Sequence, residues 1–390
     1  MKVKKIIAGI IFFILISLPS EISSYENINE IKNGKTLYVG GTGPNNYTHI
    51  QDAIDDASDE DVIFVYSGIY YENIVINKSI SLIGENKETT VIDGGERENT
   101  ITIRKSSFIH NFTIKGSGDA CAGIDIKSGY VVIKENIITN NDYAIYISNI
   151  NHTAVLDNII SNNNLGLWLS YSYHNNISNN QFFNEGIFVF NSYYNIISNN
   201  TVNKKPLVYM EEEANKEINK AGQIILIRCN NITIRNQEIS NTFFAIYLMY
   251  TNGSYIYQNS ITACRAGIIL YKSNGNCIFH NNISKSEEEA IGLQFSNSNT
   301  ITENNIFENH IGVISRTSYS NIITFNNFMK NSFQALLLYL YKDSWPFYNC
   351  WNENYWGKPK ILPKPVFGFR FPFIWISFDW HPLVQPYEWW

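Results

Sequence analysis

Several sets of side chains in this chain have types and spacings suited to chemistry. Glu135 and Asp157 each stand directly before an Asn, in Lys-Glu-Asn136 and Leu-Asp-Asn158. Carboxyl pairs about 5 Å apart serve retaining glycosidases, one group as nucleophile and the other, its pKa raised, as acid. His152 and His174 are 22 residues apart, each six residues before an Asn, and two imidazoles in register are ligands for Cu or Zn. Tyr146, Trp168 and Phe188 hold the same place in three successive apolar segments, and a row of rings suits the faces of sugars. Asp119, Asp125 and Asp142 add oxygens of the kind Ca²⁺ takes. A plainer reading stands beside each set. Solvated surface carboxylates, an aromatic ladder that only stabilises a sheet, and two His without a third ligand account for the same residues.

What positions these residues is a repeat. The Asn of Lys-Glu-Asn136 recurs as Asn158, Asn180 and Asn200, then as Asn259, Asn281, Asn304, Asn326 and Asn354, with Gln237 in the missing place. The intervals are 22, 22 and 20, then 37 across residues 204–221, then 22, 22, 23, 22 and 28. In phase with it, a small residue precedes alternating apolar ones, from Ala144-Ile-Tyr-Ile147, Gly166-Leu-Trp-Leu169 and Gly186-Ile-Phe-Val189 to Ala245-Ile-Tyr-Leu248 and Ala335-Leu-Leu-Leu338. Short Ile-rich segments bounded by Asn and Ser read as strands. Two or three per 22 residues make one coil of a solenoid, which buries its apolar face only against neighbouring coils. In each segment the second and fourth residues point in and the third points out. The outward column is then Tyr146, Trp168 and Phe188, followed by Tyr247, Ile269, Gln294, Ile314 and Leu337. The chain holds 53 Asn, which the repeat explains. Asn tolerates the left-handed backbone of sharp corners, and its amide can bond the equivalent amide on the next coil.

This Asn-Asn/Gly-Ile pattern resembles the right-handed parallel β-helix proteins of the NosD type, within the wider carbohydrate-binding and sugar-hydrolase (CASH) group. The segment Tyr47-Thr-His-Ile-Gln-Asp-Ala-Ile54, followed by Asp61-Val-Ile-Phe-Val65 and Ile80-Ser-Leu-Ile-Gly84, resembles that group's N-terminal cap. Ile50, Ala53, Ile54 and Ala57 give it a one-sided short helix able to plug the open end of the stack. The resemblance covers most of residues 35–357 and implies the fold, a carbohydrate or cell-envelope polymer as partner, and a link to copper maturation. The catalytic patterns of pectin-active β-helices (Asn-Thr-Asp, Gly-His-Gly, Arg-Ile-Lys) are missing, so no catalytic residue is assigned. Residues 204–221, with Pro206 and Glu211-Glu-Glu213, read as an insertion within a coil. Residues 358–390, rich in Pro and Trp, read as an irregular C-terminal cap.

The ends and the composition bound the compartment. Lys2, Lys4 and Lys5 precede an apolar run of about 13 residues, Ile6–Leu18, short of the ~20 a membrane span needs. Residues 1–24 are therefore expected to be a signal peptide or, uncleaved, an anchor, which would be the chain's membrane contact. The protein is expected to be secreted, at the cell surface, or periplasmic where the cell has an outer membrane. A formal net charge of -6 with 16% charged residues leaves no basic patch for nucleic acid. Five Cys, an odd number, read as structural thiols rather than a disulfide framework. The functional expectation is an exported, non-catalytic carbohydrate-binding β-helix. The alternatives are a polysaccharide lyase or hydrolase using Glu135 and Asp157, and a copper-binding accessory protein using His152 and His174.

Overall fold

The computed structural model describes residues 34–339, 348–370 and 373–388; the expected signal segment at 1–24 lies outside them. The chain winds into a parallel β-solenoid of about 14 turns. Each coil of the first half contributes three strands. One full coil runs Val132–Lys134, Ile137–Thr139 and Tyr143–Ser148. The next coil repeats them 22 residues on, with Ile133 beside Val155, Ile138 beside Ile160 and Ile145 beside Leu167. Their inward side chains form a dry, mostly Ile core.

The Asn ladder is present, and the structure separates two roles that the composition had merged. The residue before each ladder Asn turns the corner with positive φ: Glu135 at 55°, Asp157 at 57°, Asn179 at 60°. Asn, Asp and His tolerate that region best. The following Asn is buried and stacks. The Asn136 backbone N–H donates to Asn158 Oδ1 at 2.9 Å, Asn158 donates likewise to Asn180 at 3.0 Å, and Asn180 to Asn200 at 2.9 Å. Each amide also donates to backbone carbonyls of its own and the preceding coil, as Asn158 Nδ2 does to Leu156 O and Ile133 O, both at 2.9 Å. Its polar atoms are thus satisfied without water, which permits burial. Two further ladders, unforeseen, run at the other corners: Thr153 to Asn175 to Asn195, and Asn141 to Asn163 to Glu185.

The N-terminal helix is as expected. Ile50–Asp56 buries Ile50, Ala53 and Ile54, and its first N–H groups, Ile50 and Gln51, both donate to the Glu72 carboxylate at 2.9 Å.

Residues 204–221 are not an insertion within a coil. The three strand stacks end at Ile187–Phe190, Ile196–Ser198 and Thr201–Val202. The chain then reverses, pairing Val202 with Lys205 antiparallel. Lys205–Glu211 and Glu217–Ile218 open a second set of stacks by pairing in parallel with Gln223–Ile227 and Thr233–Arg235. The ladder breaks with them: among the described residues no hydrogen bond joins Asn200 to Gln237, and a new ladder runs from Gln237 through Asn259, Asn281, Asn304 and Asn326 to Asn354. Across this seam the outward side chains Leu207, Ile225, Ile227, Tyr247, Met249, Ile269 and Tyr271 join the core of the first half, while inward Ile224, Leu226, Ile246 and Leu248 line a second core. Gln223 fills the place of a missing strand: its Oε1 accepts from Ile187 N–H at 2.9 Å and its Nε2 donates to Ile187 O at 3.0 Å.

The C-terminal segment is also more regular than its proline content suggests. Lys364–Arg370 and Phe373–Asp379 pair antiparallel as a hairpin. Pro365 sits at the second position of its strand, next to the end, where a missing N–H costs little. Gly368 lies beside Leu337 of the last coil, and a Cβ there would come within 2.4 Å of Leu337.

Candidate functional site

At the seam the outward column stops being exposed. Tyr146 and Trp168 stack at 6.2 Å and 22°, Trp168 and Phe188 meet at 4.4 Å, and Tyr143 packs edge-on against Trp168 at 5.9 Å. All four are half-buried. The next members, Tyr247 and Ile269, are 3% and 7% exposed because the seam covers them. Phe188 makes the join, touching Phe243, Phe244 and Tyr247 of the second half at 5.6, 5.5 and 5.8 Å. The predicted column thus holds for Tyr146, Trp168 and Phe188. It fails further on, where Gly292 rather than Gln294 and Leu336 rather than Leu337 stand beside Ile269 and Ile314.

A polar pocket of about 230 Å³ lies at the same seam, lined by Asn163, Asn164, Asn184, Glu185, Thr242 and Arg265 among others. Its size is below the ~300–1,000 Å³ of drug-sized sites. Glu185 is its unexpected member. It stands 22 residues after Asn163, so it continues the corner ladder with a carboxyl in place of an amide. The Asn163 backbone N–H donates to Oε1 at 3.0 Å, and Asn163 Nδ2 donates to both oxygens at 3.1 Å. Burial pushes the Glu185 pKa up to about 8, against the opposing pull of the Asn163 hydrogen bonds. The group is therefore largely protonated at neutral pH and available as a donor. The Thr242 hydroxyl donates to the Glu185 carbonyl at 3.1 Å, tying the pocket across the seam. Arg265 lies over the Phe243 ring at 5.3 Å and pairs with Glu288 at 2.8 Å. Counting 22 from Asn163 finds Glu185 in the sequence; nothing local marks Phe243 or Arg265.

The other candidates fall at corners. Glu135 is partly exposed and faces Lys134 Nζ at 3.4 Å and His110 Nε2 at 3.9 Å. It and Asp157 occupy successive positive-φ positions, which accounts for their spacing. His152 and His174 do stack, at 5.7 Å and 8°, between Tyr130 at 5.2 Å and Tyr194 at 5.8 Å. All four of these residues are corner positions with φ from 54° to 60°. Imidazole lone pairs lie in the ring plane, so two near-parallel rings aim at no common metal. As arranged, the pair does not fit Cu or Zn. Of the Ca²⁺ candidates, Asp142 accepts from Asn164 Nδ2 at 2.7 Å and Ala120 N–H at 2.8 Å, and Asp125 from Asn99 Nδ2 at 2.9 Å beside Lys127. Asp119 is exposed. Cys229 and Cys264 are buried, with Cys264 pushed up to about 12 by burial, whereas Cys350 is exposed.

Residues 207–360 match the family described as "Periplasmic copper-binding protein (NosD)", and residues 71–215 match "Right handed beta helix region". The chain is a right-handed parallel β-helix, part of which is similar to the NosD family. A probable pectinesterase/pectinesterase inhibitor 6 of Arabidopsis thaliana is 32% identical over 103 residues. That stretch is 24% of this chain and 18% of the relative, so the chain spans under a fifth of that protein's length. Among solved structures, XylC with xylose is 11% identical with a TM-score of 0.38, covering 88% of this β-helix and 89% of that chain. Pectin methylesterase from carrot is 13% identical with a TM-score of 0.35, covering 64% and 83%.

Proposed function

We propose that this β-helix is an exported protein that binds carbohydrate without cleaving it, at the seam between its two halves. The observation that carries the reading is the half-buried ring column of Tyr146, Trp168 and Phe188, with Tyr143 edge-on to Trp168, joined through the Phe188–Phe243 contact to an amide-lined pocket holding Glu185. Ring faces suit the C–H faces of a sugar, while Asn amides and a neutral carboxyl suit its hydroxyls. A pectinesterase name on the partial relative agrees with that ligand class. Against cleavage stands the corner position of Glu135, whose carboxylate faces Lys134 Nζ and His110 Nε2 at the surface.

A glycan array on the purified protein, then reducing-sugar release on each hit, tests the reading. Binding without product is expected, and Trp168→Ala should weaken it ~5- to 10-fold, consistent with the loss of about 1–1.4 kcal/mol of ring contact. Sugar release would replace the reading with the enzymatic one. Unchanged affinity in Trp168→Ala would remove the site.

A further inference from the structure

The C-terminal hairpin wears its apolar residues on the wrong side for a solvated edge. Antiparallel sheets with one face on a core normally present polar residues on the other. Here the inner face, Val366, Gly368 and Trp375, lies against the last coil. The outer face carries Phe367, Phe369, Ile374, Ile376 and Phe378, exposed by 52, 60, 69, 42 and 36%. They are directly opposed across the hairpin, Phe367 beside Ile376 and Phe369 beside Ile374. Trp380, 61% exposed, extends the patch by packing on Phe378 at 5.1 Å. Contiguous exposed apolar surface of this kind marks an interaction site.

Charge identifies the partner. In a chain of net charge -6, residues 354–378 contain Lys358, Lys360, Lys364 and Arg370 and no Asp or Glu. Lys364 lies over the Trp356 ring at 5.9 Å, and its pKa is lowered by burial and then by the charge of Lys360. Nearby anions would relieve that repulsion. Beside Lys364, a groove of about 420 Å³ between hairpin and last coil is walled by Phe333, Leu336, Trp356, Phe367 and Phe369. The hairpin's one acid, Asp379, is buried, and exposed aromatic side chains following a run of cations are the composition of an interfacial membrane-binding element.

We propose that the hairpin Lys364–Asp379 docks on an anionic lipid bilayer, its outer Phe and Ile face entering the headgroup boundary while Lys358 and Lys360, in the segment leading into it, meet the lipid phosphates. This contact is separate from the apolar N-terminal run and from the carbohydrate reading. It holds the far end of the solenoid, and the ring-and-pocket seam is not part of it.

The test is co-sedimentation of the purified full-length protein with vesicles of phosphatidylcholine alone or mixed equally with phosphatidylglycerol. Amide exchange across residues 364–379 is followed in the same samples, which separates the hairpin from any contact made by the N-terminal run. Expected are binding to the anionic vesicles, weakening at high salt, and protection of the hairpin only when they are present. The outward triple variant Phe367→Ser/Phe369→Ser/Ile376→Ser should lose binding at least ~10-fold, and Lys358→Glu/Lys360→Glu should lose its dependence on the anionic lipid. The charge variant leaves the apolar face intact, so it reports even if the triple variant misfolds. Hairpin exchange indifferent to vesicles would overturn the proposal. So would hairpin protection that rises with protein concentration in the absence of lipid, which would make a second copy of the chain the occupant.

Discussion

Two ladders of buried amides in this solenoid end on a carboxylate, and the two ends differ. At the C-terminus Asp379, fully buried, takes the place of the next Asn. It accepts from Glu353 N–H at 3.1 Å, Asn354 N–H at 3.0 Å, Asn354 Nδ2 at 3.1 Å and Trp356 Nε1 at 2.9 Å. At the seam Glu185 has donors from Asn163 alone, and its other side faces the polar pocket. A carboxyl surrounded by donors is a cap, since its acceptor positions are used. One supplied from a single side is only partly stabilised as an anion, and burial then raises its pKa. The same kind of substitution therefore closes the structure in one place and leaves a buried carboxyl beside a pocket in the other.

The contrast makes predictions in descending order of size. Asp379→Ala should cost about 4 kcal/mol, because it strands the Asn354 backbone N–H and the Trp356 indole N–H without an acceptor. Denaturant unfolding measures it, and a loss below about 1 kcal/mol would deny Asp379 its capping role. Within the ladder, Asn158→Ala should cost about 3 kcal/mol, since it removes bonds to Asn136, Asn180, Ile133 and Leu156 at once.

Glu185 should behave in the opposite sense. With a folded pKa of about 8 against 4.5, its favourable contribution is complete below pH 4.5 and is lost as pH rises toward 8. In that window the unfolded chain releases the proton and the folded one keeps it. Wild-type stability should fall over that range by an amount on the order of 3 kcal/mol, and Glu185→Gln should flatten the profile while its amide oxygen keeps the Asn163 bonds made to Oε1. Melting curves from pH 4 to 9 decide it; an identical slope in the variant would place the titration elsewhere. Smallest of all, His152→Ala should change stability by no more than about 1 kcal/mol, the scale of one partly exposed ring contact, and should leave the metal content of the protein unaltered. A lost equivalent of Cu or Zn on elemental analysis would reinstate the histidine column as a metal site.

How much of this was legible in the sequence varies by level. The 22-residue period, the Asn136–Asn158–Asn180–Asn200 ladder and the Ile50–Asp56 plug were readable, because each depends on a pattern that repeats or on one amphipathic turn. The corner residues were readable as a column but not as to purpose. Glu135 and His152 look like paired chemistry until positive φ shows that the period of the corners alone aligns them. The seam was not readable, since Ala245-Ile-Tyr-Leu248 carries the same local signal as Ala144-Ile-Tyr-Ile147 although Tyr247 is buried and Tyr146 is half-open. The C-terminal hairpin was hidden behind its prolines, which lie at strand ends and flanks where no ladder bond is lost.

The sequence by itself determined the coil of the first half: which residues of its repeated segments face inward, where corners turn and that the Asn136 column stacks, all consequences of bonding between one coil and the next at a fixed period. Only the tertiary structure decided where the stack breaks, which outward rings stay open to a ligand, and that Glu185 meets a pocket rather than another Asn. Those outcomes depend on how two completed stacks lie against each other. That contact joins residues far apart in the chain, and no period records it.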